Sequence, residues 1–373
     1  MRDDEKGQET PLEQSQWEAE LHEEQEADAP GWEAIDAALN KQYAGMEPFH
    51  YGTMISYRLG GPDPLDGVSV YKREEPIPHW HYVTYGFTEL YEKESENEAY
   101  SGFGFELTFR LVAEGEDQPP VWAINFLQNL ARYVFSSGNG FQPGHHLDAN
   151  GPIEMDRDTL ITAVAFTEDP ELGEGESTLG KFRFVQVVGI TADELDLIKI
   201  WNTTSFLQLA KNRLPLGVTD LNRASLLDDS ELRQAADLGV RTEGSSTGVL
   251  YFESLVWHRH HHFGKSDSYT LELGAKQAEV LGRMLSARLV HDRQLTLIGP
   301  DTRVELIPDV QNRTAQIDDG LQLYLNADAV SELTHKLKPQ ETEFTLAVLP
   351  TLSVRIVKTY LRDSEGNIVE TIG

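Results

Sequence analysis

The chain of 373 residues contains no cysteine. This absence excludes disulfide bonds, thiolate metal sites and a cysteine nucleophile, and it fits a cytoplasmic protein. Long apolar runs are missing too: no stretch approaches the roughly 20 residues that a transmembrane helix needs, and the acidic N-terminal residues are not typical of a signal peptide. No G-x-x-x-x-G-K-[ST] motif occurs, which excludes a P-loop. We therefore expect a soluble, cytoplasmic protein.

Basic residues are scarce. Lys and Arg number 31 against 62 Asp and Glu, for a net charge of −31. Such a charge repels nucleic acid phosphates and anionic membranes, so we expect neither as a partner. It would attract a basic polypeptide. The alternative interpretation is that the charge serves only solubility, and composition does not decide between the two.

The length and the distribution of charge predict three parts. Residues 1–29 are acidic and poor in apolar residues, which is typical of a disordered or loosely helical tail. The remaining chain is long enough for two domains that each bury a core. A Gly/Ser-rich corner at Gly244 to Gly248 predicts the boundary, with domains at residues 30–245 and 246–373.

Apolar spacing predicts a mixture of helices and strands. Phe103, Phe105, Leu107 and Phe109 alternate with polar residues, which predicts a strand whose aromatic face is buried. Helical spacing predicts helices at Trp32–Tyr43, Trp122–Phe135, Thr191–Trp201, Leu226–Ala236 (ending at Gly239), Ala275–Val290 and Ala327–Leu337. Further strands are predicted near residues 68–85, 160–167, 182–190, 249–257, 295–297, 304–307, 322–326, 344–349 and 353–360. No regular βαβ alternation appears, so the predicted class is α+β.

Two motifs resemble enzyme sites. Ser246 lies in a G-x-S-x-G sequence, but a helical pattern precedes it and a strand follows, the reverse of the order that a nucleophile elbow needs. A Gly/Ser hinge is the better interpretation. Asp63 and Asp66 are paired carboxylates of the kind used in acid–base chemistry. Their neighbours are Pro and Gly, which favours a role as turn formers.

Histidines suggest a rival class, a metal-dependent enzyme. His79 and His81 lie two apart on one face of a predicted strand and could share a metal ion, although no third ligand suggests itself. The run from His258 to His262 could bind metal in vitro, but an exposed loop is the simpler interpretation. No complete catalytic set is found, which favours a non-catalytic protein without a cofactor.

Several long motifs carry a resemblance to a known family. They are LGGPDPLD (59–66), HWHY (79–82), SGFGFELTFRL (101–111), LARYVF (130–135), TEDP (167–170), VQVVGIT (185–191), the Trp-Asn pair at 201–202 and the corner at 242–245. Together and in this order they resemble the suppressor of fused family. The resemblance is close up to about Thr191 and weaker, but collinear, beyond it.

The resemblance implies a fold and a function. The fold would be two mixed α/β-sandwich lobes joined by a hinge. Animal members of the family are cytoplasmic regulators of Hedgehog signalling that sequester Gli transcription factors, gripping an extended peptide between the lobes. Bacterial relatives are immunity-type proteins that neutralise toxin domains. Either way the expected activity is the binding of another protein.

The resemblance also implies site residues. Tyr133, Phe141 and Val249 occupy positions that contact the peptide in animal members. The acidic residue that pairs there with a Gli histidine is His145 here, which offers no charge pairing. The long Ser-rich insert of animal members is absent, and only residues 259–268 stand in its place. We therefore expect a bacterial-type member with a partner other than Gli. The alternative function is that of a true Hedgehog regulator. The alternative role of Tyr133 and Phe141 is ordinary core and loop packing.

Overall fold

The computed structural model describes residues 29–55, 57, 60–264, 266–362 and 366–373. The predicted acidic tail lies outside them, apart from its last residue. The described α-helices are α1 Pro30–Gln42, α2 Val121–Ser137, α3 Ala192–Ile200, α4 Thr203–Ala210, α5 Ser230–Glu243, α6 Ala275–Arg288 and α7 Ala327–Lys336. The described strands are β1 Phe49–Gly52, β2 Gly67–Arg73, β3 His79–Tyr85, β4 Tyr100–Val112, β5 His146–Asp148, β6 Ile161–Glu168, β7 Glu174–Ser177, β8 Gly180–Thr191, β9 Val249–Tyr251, β10 Leu255–His260, β11 Ser268–Gly274, β12 Leu295–Ile298, β13 Arg303–Pro308, β14 Arg313–Ile317, β15 Gly320–Leu325, β16 Thr342–Thr345, β17 Leu352–Val357, β18 Thr359–Arg362 and β19 Ile368–Ile372.

The predicted α+β class is confirmed. The described residues form two compact units: the first contains those up to Pro143 together with Phe166–Val188, and the second contains Gly144–Ala165 together with those from Gly189 onward. Strands β6 and β8 each pass from one unit into the other along the chain. The domain boundary near Gly244 to Gly248 stays a prediction.

The first unit is a sheet with a helix on each face. Strands β1 to β4 pair antiparallel in sequence order, β4 pairs parallel with β8, and β7 forms a hairpin with β8. Helix α1 begins at a proline, which suits the first helical turn, and it buries Ile35 and Leu39 against a cluster that includes Val83. Helix α2 covers the opposite face, where Trp122 packs edge-on to Phe109.

A bulge interrupts the alternation of β4. Gly102 and Gly104 have φ values of 52° and 78°, in the left-handed region that glycine adopts without strain. A Cβ on Gly102 would also lie 2.5 Å from the carbonyl oxygen of Phe87. The pairing with β8 shifts register here, as expected where a bulge re-aims a side chain. The prediction that the whole aromatic face is buried is therefore wrong for Phe103, which is 37% exposed.

The polar face of β4 is buried as well. The guanidinium of Arg110 donates to the two carboxylate oxygens of Asp169 at 2.6 and 3.1 Å, to Gln186 at 2.8 Å and to Glu171 at 2.9 Å. Nε2 of His81 lies 3.3 Å from Asp169. Burial raises the pKa of Asp169, but His81 and Arg110 lower it by more, so it lies well below 3.8. The interior of this unit therefore holds an ionised pair.

Besides the two-stranded sheet of β18 and β19, the second unit contains two larger sheets with helices α6 and α7 packed against them. One sheet has the order β10-β11-β17-β16 and the other the order β14-β15-β13-β12-β9. Helices α6 and α7 contribute Leu281, Leu285 and Leu333 to a core that both sheets share. A second cluster joins α3, α4 and α5 around Trp201. Thr191 and Glu194 form the predicted capping box at the start of α3.

Several sequence predictions fail in this unit. The helix expected to end at Gly239 continues to Glu243, and Gly239 lies inside it, where a Cβ would be 2.2 Å from Cζ2 of Trp201. The single strand expected at 249–257 is two strands, β9 and β10, which pair in different sheets. Strand β10 also contains His258 and His260, which the sequence placed in a loop.

Candidate protein-binding site

Helix α2 presents a tyrosine at the surface of the first unit. Its buried face carries Leu127, Leu130 and Val134, and Tyr133 lies on the other side with 42% of its surface exposed. The ring of Tyr133 stacks on Phe141 at a centroid distance of 5.6 Å, and Phe141 stacks on Phe166 at 4.2 Å. Since Phe141 and Phe166 are buried, the three rings form a column with one open end, at Tyr133.

The loop before β2 is fixed to α2. The side-chain amide of Gln128 accepts from the backbone N–H of Leu65 and donates to its carbonyl, both at 3.2 Å. Arg132 forms an ion pair with Asp63. Asp63 therefore takes part in holding the loop against the helix, in line with its interpretation as a structural residue. The surface around Tyr133 rests on a helix and a tethered loop.

His145 directly precedes β5 in the second unit. It is exposed, and partial burial of its ring lowers its pKa below 6.5. The next residue, His146, contacts the hydroxyl of Thr203 at 3.2 Å, and its pKa falls to about 4 because of burial, Lys199 and His145. Strand β5 pairs with β6 and ends its sheet. Within the described chain its other edge has no strand neighbour.

Val249 opens β9, which is also an edge strand of the second unit. Strand β9 pairs parallel with β12, with Val249 opposite Thr296. The described residues place no strand on its other side. Val249 is 39% exposed and Tyr251 is 79% exposed. An edge with unpaired backbone groups and exposed side chains can add a strand from another chain.

The structure thus brings Tyr133 and Phe141 into direct contact, while His145 and Val249 belong to the second unit and each adjoins a sheet edge. The sequence missed Phe166 as the base of the aromatic column, although Phe166 lies in a strand that the sequence predicted. The edge position of β5 and β9 had no signal in the sequence, because strand order is set by pairing between distant segments.

The histidine pair of β3 is enclosed in the first unit. His79 and His81 are fully buried. Nδ1 of His79 contacts the carbonyl of Ile77 at 2.7 Å, and Nδ1 of His81 contacts the hydroxyl of Tyr43. Burial and the charge of Arg110 lower the pKa of His81 to about 4. In the part of the chain that the structure describes, no group of three His, Cys, Asp or Glu residues has metal-binding geometry.

The Gly/Ser corner has the order of elements that the sequence predicted, α5 before it and β9 after it. The hydroxyl of Ser245 donates to the carbonyl of Lys199 at 2.7 Å, and the N–H of Ser246 donates to the carbonyl of Trp201 at 2.8 Å. These two hydrogen bonds hold the Gly/Ser corner against the backbone of Lys199 and Trp201. The strand-turn-helix setting of a nucleophile elbow is not found here.

Comparisons with known proteins agree with this fold. The family model described as "Suppressor of fused protein (SUFU)" matches residues 61–224. The Suppressor of fused homolog of Homo sapiens is 36% identical over 235 residues, which cover 58% of this chain and 48% of that protein, and the Mus musculus homolog has the same values. This chain thus spans about half the length of these curated relatives.

Two solved structures are also similar. The crystal structure of Drosophila Suppressor of Fused superposes with a TM-score of 0.77 at 21% identity, covering 88% of this chain and 97% of that one. A chain of the Sufu-Fu complex crystal structure gives a TM-score of 0.52 at 30% identity, covering 57% of this chain and 97% of that one.

The fold is that of a two-unit α+β protein. A chain of the Sufu-Fu complex is 30% identical and is covered over 97% of its length, and the family model matches residues 61–224, so this chain belongs to the suppressor of fused family. None of the helices described here has the length and apolar character needed to cross a bilayer.

Proposed function

We propose that this chain is a non-catalytic binding protein that holds an extended segment of a partner polypeptide. The observation that carries the proposal is Tyr133, half-exposed and fixed by stacking on the buried Phe141. A large ring held in one orientation loses little conformational freedom on binding, and Tyr is enriched among residues that dominate interface energies. The similar chain of the Sufu-Fu complex supports the proposal, because that crystal structure is a complex between two proteins.

The extended form of the segment follows from the strand edges. Strands β5 and β9 are edge strands of their sheets within the described chain, and each contains or adjoins a residue that the resemblance assigns to the site, Val249 and His145. Addition of a strand supplies main-chain hydrogen bonds for affinity, and side-chain pockets supply selectivity. The placement of the segment between two lobes, which the family resemblance implies, stays a prediction.

The partner is a basic polypeptide, and for a cytoplasmic bacterial-type member it is a toxin domain that the chain neutralises. The net charge of −31 supports a cationic partner, because complementary charge steers association. His145 supports a partner other than Gli, since it replaces the acidic residue of animal members.

Recovery of the natural partner tests the proposal. Wild-type chain and the Tyr133→Ala variant are used as bait in extracts of the source organism, with Tyr360→Ala as a control because Tyr360 is similarly exposed, at 50%. Loss of an anchor ring is expected to cost about 2 kcal/mol, or roughly thirtyfold in Kd. Tyr360→Ala should bind as wild type. A partner captured equally by all three proteins would show that the surface around Tyr133 is not the site.

A Ser-Tyr-Gly-His peptide of the Gli type tests the Hedgehog alternative. We expect binding no tighter than about millimolar, a free energy of about 4 kcal/mol, because His145 cannot pair with the peptide histidine. Micromolar affinity would instead support the Hedgehog alternative.

His145 also predicts a pH dependence of binding to the natural partner. Partial burial lowers the pKa of His145 below 6.5, so its affinity for an acidic group of the partner should increase only as the pH falls below that value. The increase should be absent in His145→Gln.

A further inference from the structure

Two arginines lie together at the Gly/Ser corner of the second unit. Arg288 is the last residue of α6, and Arg293 follows it in the connection to β12. Nη1 of each donates to the carbonyl oxygen of Ser245, in both cases at 2.9 Å. Because both bonds end on one oxygen, the two guanidinium groups are direct neighbours of like charge. Arg288 and Arg293 are called the arginine pair below.

The oxygen that the arginine pair shares is held in place by the backbone around it. Ser245 is fully buried, and its N–H donates to the carbonyl of Ala287 at 2.7 Å. Its hydroxyl donates to the carbonyl of Lys199, also at 2.7 Å. Nε and Nη2 of Arg288 both donate to the carbonyl of Gln294, at 3.1 and 2.7 Å. All three nitrogens of Arg288 are therefore bonded to backbone oxygens, which fixes the orientation of its guanidinium.

The arginine pair has no carboxylate partner. No ion pair joins Arg288 or Arg293 to an acidic residue in the part of the chain that the structure describes, and this includes Asp292, which lies between them in sequence. Burial and the neighbouring charge of Arg293 lower the pKa of Arg288 below its ordinary value. Other arginines of the second unit do pair with carboxylates, namely Arg283, Arg303, Arg313 and Arg355. Two adjacent cations without a counter-charge are unexpected in a chain with 62 acidic and 31 basic residues.

Arg293 has donors available for a ligand. Its side chain is exposed, and its hydrogen bond to Ser245 uses Nη1. A guanidinium carries five N–H donors in a planar fork, so the edge formed by Nε and Nη2 has no acceptor among the described residues. That edge matches the two oxygens of a carboxylate. Arg288 adds a second positive charge beside it.

The arginine pair lies at the start of β9. A Cβ on Gly248 would be 3.3 Å from Nη2 of Arg288, and Gly248 directly precedes Val249, the first residue of β9. The carbonyl of Gly248 accepts from the N–H of Thr296 at 2.9 Å, on the side of β12. On the other side of β9 the described residues place no strand. A segment that adds to this edge therefore has one end beside the arginine pair.

We propose that the arginine pair binds a carboxylate of the partner segment, an aspartate or glutamate at the end of the strand that adds to β9. The inference rests on the proposed function, because it requires that the segment adds to β9. Arginine pairs with a carboxylate through two parallel N–H···O bonds, and such charge-assisted bonds are about twice as strong as neutral ones. A partner that is basic overall thus needs one acidic residue at this position. The pairing fixes the register of the segment on β9.

The test uses the full chain and defined peptide probes, titrated by NMR at about 0.1 M salt. The probes acetyl-Asp-Thr-Val-Thr-Val-amide and acetyl-Val-Thr-Val-Thr-Asp-amide place the carboxylate at either end, so that both strand directions are covered. In the matched control peptides asparagine replaces aspartate. We expect one probe to bind with a Kd of about 1 mM and its asparagine counterpart at least about fivefold more weakly. Equal binding of the aspartate and asparagine peptides, or no binding of either probe, would overturn the proposal.

Variants of the chain locate the carboxylate. Arg293→Gln removes the exposed charge and should weaken the aspartate probe about fivefold, to the affinity of its asparagine counterpart. Arg293→Lys keeps the charge without the planar fork and should retain only part of the difference.

Lys276→Gln is the control for net charge. Lys276 is exposed on α6, about 18 Å along the helix from Arg288, which exceeds the Debye length of about 10 Å at 0.1 M salt. Its replacement should change the affinity of the probe by less than about twofold. Equal losses in Arg293→Gln and Lys276→Gln would show that only net charge acts, and would overturn the proposal.

Sodium acetate separates the carboxylate from the strand. Acetate has no main chain to pair with β9, so it should bind at least about tenfold more weakly than the aspartate probe. Equal affinities would show that β9 contributes nothing, and the proposal would fail at that point.

The natural partner distinguishes this inference from the proposed function. If capture of the partner depends on Tyr133 but Arg293→Gln leaves its Kd unchanged, this inference fails while the proposed function stands. If the aspartate probe requires Arg293 but no partner depends on Tyr133, the proposed function fails while the carboxylate site at β9 stands.

Discussion

Replacing Asp169 by asparagine should strongly destabilise the first unit. Asp169 accepts two bonds from Arg110 and one from Thr108 at 2.7 Å, and it accepts the backbone N–H groups of Glu171 and Leu172, each at 2.9 Å. Asparagine has one acceptor oxygen, and its amide would direct hydrogens at existing donors. The buried guanidinium would also lose its main counter-charge.

The expected cost is about 3 to 5 kcal/mol at pH 7, the range found when one partner of a buried ion pair is removed. Because Arg110 keeps its bond to Glu171, the lower half of the range is favoured. The free energy contributed by the Asp169 carboxylate is present above its unfolded pKa of about 3.9. Since its folded pKa is lower still, this contribution is lost as the pH falls below that value toward the folded pKa.

Native-state hydrogen exchange in increasing urea, read by mass spectrometry on peptides from β4, measures this free energy for the first unit alone. That choice matters because a chain of two units need not unfold in one step. The control is Glu343→Gln, which removes an exposed partner of Arg355 at 2.8 Å. The control should cost less than about 1 kcal/mol.

Combining Asp169→Asn with Arg110→Met separates the charge from the other contacts. Once Asp169 is replaced, removing Arg110 should cost less than it does in the wild-type chain, because an uncompensated buried charge is removed with it. The reasoning would be refuted if Asp169→Asn cost no more than Glu343→Gln, or if the costs of the two buried substitutions simply added.

Three further predictions concern stability and organisation. Burial raises the pKa of Glu106 from 4.5 to about 7, although its carboxylate accepts four hydrogen bonds. The contribution of Glu106 to the free energy of unfolding is therefore present below pH 4.5 and is lost as the pH rises through 7. Urea unfolding curves at pH 5 and 8 should show this loss, on the order of 3 kcal/mol, in the wild-type chain and not in Glu106→Gln. Gly239→Ala should lower the free energy of unfolding by about 1 to 3 kcal/mol, because the added Cβ would overlap Trp201. Gly282→Ala is the control: its Cβ would have its nearest contact at 3.4 Å, so thermal melts should show it to be neutral or stabilising. Limited proteolysis should cut near Gly244 before it cuts between residues 57 and 110; cleavage in the reverse order would contradict the predicted domain boundary.

The sequence by itself determined the class of fold and the family. Amphipathic spacing from Trp32 and from Trp122 predicted α1 and α2 to within about two residues, because a helix that covers a sheet must carry one apolar face. The capping box of Thr191 was readable because capping is local. The long motifs carried the resemblance to the suppressor of fused family, which the comparisons confirm.

Only the tertiary structure decided where the polar and aromatic residues of β4 lie. The polar character of Glu106 and Arg110 suggests a solvated face, yet both are fully buried, because α1 covers that side of the sheet and Asp169 supplies the compensating charge from a distant segment. Phe103 belongs to an apolar alternation but turns outward, because two glycines allow a bulge. Burial and register depend on segments far apart in the chain, and a local sequence pattern does not contain them.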